Sequence, residues 1–155
     1  MISGKLVAAL LTAISGYTGY AIPGDPPRIV RLPQDVLAQR VCGRPCQVLG
    51  FTLPDGEIVV DEALKIGEDA AATSILVHEL THFLQIKSVA HPRPVDCRTW
   101  NEREREAFDV QAHWLRDNAV SMRVFSVEMA RLKLAGVRSS CVDLTGPPPG
   151  AKTTP

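Results

Sequence analysis

The stretch Ala70–Lys87, which reads AAATSILVHELTHFLQIK, constrains the fold of this chain more than any other. It contains neither proline nor glycine, and apolar residues recur in it at three- and four-residue steps: Ile75, Leu76, Leu80, Phe83 and Leu84. That period is typical of an α-helix with a buried face. Asp69 precedes the stretch and is a suitable N-cap, and the prolines at positions 92 and 94 forbid continuation. The sequence therefore predicts one long helix over these residues.

The helix carries the motif His78-Glu79-Leu80-Thr81-His82, an HExxH pattern. His78 and His82 are four residues apart, so both imidazoles project from one face and can reach a single ion. Glu79 is too close to His78 to bind the ion beside it, but it can hold a water molecule there. Zn²⁺ lowers the pKa of bound water to about 7, and a nearby carboxylate can take the proton. The motif predicts a hydrolytic zinc site with Glu79 as the base.

Two histidines leave a catalytic zinc ion short of one protein ligand. The metzincin arrangement is excluded, because Gln85 and Ser88 occupy the positions where it requires glycine and histidine. The other common arrangement takes a glutamate from a following helix. Residues 101–107 offer three candidates, namely Glu102, Glu104 and Glu106.

Helix geometry separates these three glutamates. We expect the second helix to begin with a capping box, in which Thr99 is the N-cap and Glu102 reaches back to it. Glu104 and Glu106 lie about 200° apart around a helix, so they cannot both face one ion. Glu104 shares its face with Ala107, which is small enough to let the two helices approach closely. We therefore favour Glu104 as the third ligand, with Glu106 as the alternative.

The HExxH motif with a downstream glutamate resembles the gluzincin branch of the zincins. The fuller pattern, HELTHFLQ from His78 and EREAFDVQ from Glu104, is similar to small exported bacterial zinc metallopeptidases of unknown function. The resemblance covers about residues 57–115. It implies that His78, His82 and Glu104 bind zinc and that Glu79 is the catalytic base.

The chain departs from the gluzincin pattern at two points. Many gluzincins place an aspartate four residues after the ligand glutamate to orient a ligand histidine, but Phe108 stands there and Asp109 is the nearest substitute. Many also use a tyrosine or histidine to stabilise the oxyanion. The only tyrosines precede residue 22, so His113, His91 and Arg93 are the remaining candidates.

The N-terminus reads as a targeting segment. Lys5 precedes an apolar stretch over residues 6–14, and small residues at positions 19 and 21 predict cleavage of a signal peptide, residues 1–21, after Ala21. The remaining chain divides into one domain over residues 22–144 and a Pro-rich tail over residues 145–155, expected to be disordered. This predicts a secreted or periplasmic protein without membrane association after cleavage. Equal numbers of acidic and basic residues, 17 of each, give no reason to expect nucleic acid as a partner.

Four cysteines fit an exported protein, because disulfides persist in oxidising compartments. We expect Cys42–Cys46 to close a small loop and Cys97–Cys141 to close a long one. The rival interpretation is a cysteine zinc site, which the lone Cys42/Cys46 pair does not favour, since no second pair has matching spacing.

The fold class expected is α+β: a mainly helical, zincin-like domain with a small β-hairpin before the HExxH helix. Residues 22–33, rich in proline, are expected to be an extended arm without regular structure. A short helix is expected over residues 34–41 and a hairpin over residues 46–53 and 57–61, joined by a Pro-Asp-Gly turn. Helices are also expected from Thr99 to about residue 117 and over residues 120–134.

These expectations together predict an exported zinc-dependent metallopeptidase that hydrolyses peptide bonds in a peptide or protein substrate. The alternative is an exported binding module with a structural zinc ion, in which Glu106 or His113 completes a closed shell of four ligands. Cleavage specificity and oligomeric state do not follow from the sequence.

Overall fold

The helix that carries the HExxH motif lies at the centre of the fold. The computed structural model describes residues 2–88 and 96–118. The elements follow in the order α1 (Gly4–Thr18), β1 (Ile29–Leu32), α2 (Gln34–Cys42), β2 (Gly50–Thr52), β3 (Ile58–Asp61), α3 (Ala70–Lys87) and α4 (Cys97–Asp117). Helices predominate and three strands form one sheet, so the fold is α+β and mainly helical, as predicted.

Helix α3 has the bounds that the sequence predicts. It begins after Asp69, whose side chain accepts a hydrogen bond from the backbone N–H of Ala72 at 2.7 Å. It is buried on nearly every side, and Leu76, Val77 and Leu80 have no exposed surface. A helix that is buried on several faces is expected in the middle of a fold. Here α3 packs against α1, α4 and strands β2 and β3.

The predicted hairpin is present next to α3. β2 pairs antiparallel with β3, with Phe51 opposite Val59. The turn between them ends at Gly56, whose φ of +95° is accessible to glycine and strained for other residues. All four residues of β3 are buried, because β3 is the central strand of the order β1-β3-β2. That order leaves β2 as an edge strand.

The expectation of an irregular arm over residues 22–33 is wrong for its last part. Ile29–Leu32 forms β1, which pairs parallel to β3 with Ile29 opposite Ile58. The prolines at positions 23, 26, 27 and 33 flank this short stretch and do not interrupt it. Four residues free of proline are enough for a strand on a sheet edge.

Helix α1, within the segment predicted as a signal peptide, packs into the main core. Its buried residues recur at helical spacing: Val7, Leu10, Leu11 and Ile14. They join the apolar cluster formed by α3, α4 and β3. Cleavage after Ala21 would remove this helix from the core, and that cleavage stays a prediction.

The N-cap of helix α4 lies three residues earlier than expected, and the predicted capping box is wrong. Its N-cap is Asp96, whose side chain accepts a hydrogen bond from the backbone N–H of Thr99 at 2.7 Å. Glu102 instead pairs with Arg98, one turn away, at 3.1 Å. An aspartate caps a helix as well as a threonine does, and this one lies earlier in the chain.

The Cys42–Cys46 disulfide is present at the end of α2. The second predicted bond, Cys97–Cys141, reaches outside the described residues, as do the predicted helix over residues 120–134 and the predicted tail. None of the helices in the described part of the chain combines the length and the apolar character needed to cross a bilayer.

Candidate metal centre

His78 and His82 face each other on successive turns of α3. Their Nε2 atoms are 3.1 Å apart, as the four-residue spacing predicts. His78 is buried, and its ring also packs against Phe108, with ring centroids 4.5 Å apart. His82 stacks on Trp100, with the ring planes 11° from parallel. The two rings are therefore held by α4 as well as by their own helix.

Glu104 completes a group of three side chains. One carboxylate oxygen, Oε1, lies 3.1 Å from His82 Nε2, and the other, Oε2, lies 3.5 Å from His78 Nε2. Helices α3 and α4 pack against each other, and Ala107, one turn along α4 from Glu104, is completely buried. Of the two candidates that the sequence leaves open, the structure brings Glu104 to the histidines.

These three side chains can hold a metal ion. Bonds of about 2.0–2.2 Å at the tetrahedral angle place neighbouring ligand atoms about 3.4 Å apart, and the measured separations of 3.1–3.5 Å match that spacing. Two imidazole nitrogens and one carboxylate suit Zn²⁺, though other first-row ions accept the same donors. The residues present therefore fit a divalent first-row metal ion.

Charge within the group shifts the pKa values of both partners. Burial disfavours the charged form of His82, but hydrogen bonding to Glu104 and the charges of Glu104 and Glu79 outweigh burial and raise the pKa of His82. Burial likewise favours the neutral acid at Glu104. The hydrogen bonds from His78 and His82 outweigh it, so the pKa of Glu104 falls well below its usual range. Glu104 is thus held as a carboxylate.

Glu79, the predicted base, is buried beside the group and is held by the edge strand. The hydroxyl of Thr52 on β2 lies 2.8 Å from Glu79 Oε2, a hydrogen bond in which the carboxylate accepts. Gly50, on the same strand, faces the Glu79 side chain so closely that an added Cβ would lie 3.0 Å from its Cγ. β2 therefore restricts the position of Glu79.

A cleft of about 790 Å³ opens over these residues. The residues that line it include His78, Glu79, His82, Glu104, Phe108 and those of β2. The disulfide loop contributes Arg44 and both cysteines. The metal-binding group, the acid beside it and an edge strand thus share one concave surface, which is the usual form of a small-molecule or peptide site.

The remaining sequence candidates lie elsewhere. Glu106 turns away from the histidines and accepts a hydrogen bond from Gln85 at 2.7 Å. His113 is exposed and stacks on Tyr17, with ring centroids 4.2 Å apart, so it does not serve the cleft. Asp109 is exposed on a second cavity with His113 and does not orient a metal-site histidine. His91 and Arg93 lie outside the described residues.

Sequence reasoning gave no role to Gln85 or to Thr52. Gln85 is completely buried, and its Oε1 lies 2.8 Å from His82 Nδ1. A signal for Gln85 exists, because it lies three residues after His82 on the same helix face. Thr52 left no such signal, since it approaches Glu79 only through the packing of β2 on α3.

Comparison of the chain with protein-family models, with curated proteins and with solved structures finds no match.

Proposed function

We propose that this protein is a zinc-dependent metallopeptidase of the gluzincin type. The observation that supports this most is the convergence of His78, His82 and Glu104 on one point, with the Glu79 carboxylate beside them in a cleft. Glu104 comes from a different helix from the histidines. Chance placement of an acidic side chain does not explain why both of its oxygens face the two imidazoles.

The proposed chemistry uses Glu79 as general base and then as general acid. A zinc ion bound by the three side chains supplies a Lewis acid that lowers the pKa of water and polarises a carbonyl group. Glu79 takes a proton from the attacking water and returns it to the amine that leaves. The Thr52 hydroxyl lies 2.8 Å from the Glu79 carboxylate and 2.9 Å from the Glu79 backbone carbonyl, and a hydrogen bond to the carboxylate would help to orient it.

The arrangement favours an open, catalytic site over a closed, structural one. A closed site needs a fourth protein ligand, for which the sequence offers Glu106 or His113. Glu106 is engaged by Gln85, and His113 stacks on Tyr17 at the exposed end of α4. Among residues 2–88 and 96–118, the metal-binding group contains three members. The binding-module alternative therefore lacks a fourth ligand in the described part of the chain.

We propose an extended peptide or protein segment as the substrate. β2 is an edge strand that lines the cleft beside Glu79, and an edge strand can accept a further strand through its backbone groups. A peptide added there would pass alongside the three donor atoms. Phe51, Trp100 and Phe108 provide apolar lining for its side chains.

We place the protein in a secreted or periplasmic location. The support is the Cys42–Cys46 disulfide, which is compatible with an oxidising compartment.

The variant Glu79→Gln tests the proposal. We expect it to keep the zinc content and the melting temperature of the wild type, because Glu79 is not one of the three donors. Hydrolysis of an internally quenched fluorescent peptide library should fall by about 100-fold or more, the usual contribution of a general base. Glu68→Gln, at an exposed glutamate before α3, is the matched control and should retain full activity.

Binding of a hydroxamate inhibitor separates the open site from the closed one. A hydroxamate needs a free position on the ion, so it should bind the zinc-loaded protein and raise its melting temperature. Stoichiometric zinc without hydroxamate binding would support the structural alternative. Unchanged turnover by Glu79→Gln would refute the assignment of the base.

A further inference from the structure

We propose that Tyr20, Glu106 and Gln85 form a hydrogen-bonded chain that holds the His82 ring in the orientation needed to bind a metal ion. The chain runs from the end of α1 through α4 to α3. Gln85 is the positioning residue in contact with His82, and Tyr20 is the far anchor. This inference rests on the metal site of the proposed function.

The first link fixes which ring nitrogen of His82 is free. The Gln85 amide nitrogen donates to the backbone carbonyl of Arg103 at 3.0 Å and to Glu106 Oε2 at 2.7 Å. A carbonyl oxygen can only accept, so the Gln85 NH₂ group must face it. Gln85 Oε1 is then turned toward His82 Nδ1, 2.8 Å away, and accepts the proton of that nitrogen. Nε2 is then the ring nitrogen that faces His78 and Glu104, and its lone pair becomes available to a metal ion once a proton there is released.

The second link holds Glu106. The Tyr20 hydroxyl donates to Glu106 Oε2 at 2.8 Å, so this one oxygen accepts from both Tyr20 and Gln85. Burial, together with the hydrogen bond to Glu106, raises the pKa of Tyr20 well above its usual value, and the phenol stays protonated as a donor. The sequence analysis leaves Glu106 open as an alternative metal ligand; in the structure it contacts Gln85, and through Gln85 it acts on His82.

The third link holds Tyr20. Gly19, at φ +77°, ends α1, and its N–H donates to the carbonyl of Ser15 at 2.8 Å. The Ser15 hydroxyl donates to the Tyr20 carbonyl at 2.7 Å, and the Tyr20 N–H donates to Thr18 Oγ1 at 3.2 Å. Ser15 and Thr18, which follow the apolar stretch of residues 6–14, therefore build the turn that places Tyr20.

The inference bears on the form of the protein that binds metal. Cleavage after Ala21 would remove Tyr20 together with α1 and its buried residues. The chain of hydrogen bonds and that cleavage cannot both belong to the functional protein. We infer that the metal-binding form retains Tyr20.

The test is the zinc affinity of full-length variants, measured by competition with a chromophoric chelator. Gln85→Met should weaken zinc binding by about 10–100-fold, the usual cost of losing a group that orients a metal ligand. Tyr20→Phe should weaken it by a few-fold, up to about tenfold, because two links separate it from His82. In the Gln85→Met background, Tyr20→Phe should have no further effect, since the chain is already broken.

Two matched controls come from the same helices. Tyr17→Phe removes a phenol that donates to Asp117 at 2.7 Å, an equivalent bond between α1 and α4 that does not lead to His82. Gln111→Met removes a buried amide that donates to Ser74 at 3.0 Å, between α4 and α3. Both controls should bind zinc within about twofold of the wild type.

Replacing zinc by Co²⁺ gives a visible absorption spectrum that reports the geometry of the ligands and does not depend on the stability of the fold. The visible absorption of bound Co²⁺ depends on ligand geometry, so Gln85→Met should shift these bands and Gln111→Met should not. Wild-type protein that binds no zinc would overturn this inference and the proposed function together. If the wild type binds zinc, and Gln85→Met and Tyr20→Phe bind it with the same affinity and show unshifted cobalt bands, this inference alone is overturned. Tight zinc binding by a natural form that begins at Ile22 would also overturn it.

Discussion

Replacing Gly50 by alanine tests how closely the position of Glu79 is set by strand β2. The added Cβ would lie 3.0 Å from Glu79 Cγ, 3.3 Å from its Oε1 and 3.4 Å from its Cδ. Carbon atoms in comfortable contact are about 3.5–4.0 Å apart. Gly50 does not have the positive φ found at Gly56, so its backbone accepts alanine. The Glu79 side chain must therefore move by about 0.5–1 Å.

That displacement allows the loss of activity to be estimated. A misplacement of about 1 Å in a catalytic geometry costs about 100-fold in rate, so we expect kcat for Gly50→Ala to fall by about 10–100-fold. The extra methyl group should also destabilise the fold by about 1–3 kcal/mol through overpacking. Zinc affinity should stay within about twofold of the wild type, because the three atoms nearest to the new Cβ all belong to Glu79.

The assay combines turnover of a quenched fluorescent peptide with zinc titration and urea unfolding. Gly24→Ala is the matched control, because a Cβ at Gly24 would have no atom within 4 Å. The reasoning is refuted if Gly50→Ala keeps full turnover at unchanged stability, since β2 would then not restrict Glu79. A loss of zinc affinity in proportion to the loss of turnover would also contradict it, because the damage would then lie at the three donors.

Four further predictions concern the metal-binding group and the helix that carries it. Glu104→Ala should weaken zinc binding by at least about 100-fold and Glu106→Ala by about tenfold. A zinc titration in which Glu106→Ala loses more affinity than Glu104→Ala would exclude Glu104 as the ligand. Because the pKa of His82 is higher in the folded than in the unfolded protein, its protonation stabilises the zinc-free fold. This stabilisation is complete below the pKa of the unfolded state, about 6.5, and is lost as the pH rises through the pKa of the folded state. Thermal unfolding at a series of pH values should show this loss. Zinc affinity should change in the opposite direction and fall with the pH, because His82 must lose its proton to bind. Asp69→Ala should cost about 1 kcal/mol in urea unfolding by removing the cap of α3, and no change would show that the cap adds nothing.

The parts of the fold that could be predicted depend on local sequence. Helix α3 is marked at both ends, by Asp69 and by the prolines that follow, and its apolar period is strong. The histidine pair follows from helix geometry alone, and so does the decision that Glu104 and Glu106 cannot share an ion. The hairpin is marked by its Pro-Asp-Gly turn. In each case the determining residues lie within a few positions of one another.

The parts that could not be predicted depend on packing between distant segments. β1 is a strand only because β3 lies beside it, and its four residues carry no strong pattern of their own. The approach of Thr52 and Gly50 to Glu79 requires the position of β2 on α3. The contact between Tyr20 and Glu106 spans 86 positions and joins the predicted signal peptide to Gln85, which contacts His82. Both Asp96 and Thr99 can cap a helix, and the sequence does not show at which of them α4 begins; the structure places the cap at Asp96.

His78, His82 and Glu104 can be held together either by a shared proton or by a metal ion. Folding of the site and metal binding are linked for this reason. Without an ion, Glu104 holds a proton on His82 by hydrogen bonding and charge, so the donors are already paired in a buried place. A metal ion held by His78, His82 and Glu104 would take the place of that proton and use the lone pairs that face the same point. The side chains would then need little rearrangement, and the entropy of ordering them would be lost on folding instead of on binding. The packing of Phe108 and Trp100 on the two rings, together with Gln85 behind His82, serves the same end, because each restricts an imidazole before the ion arrives.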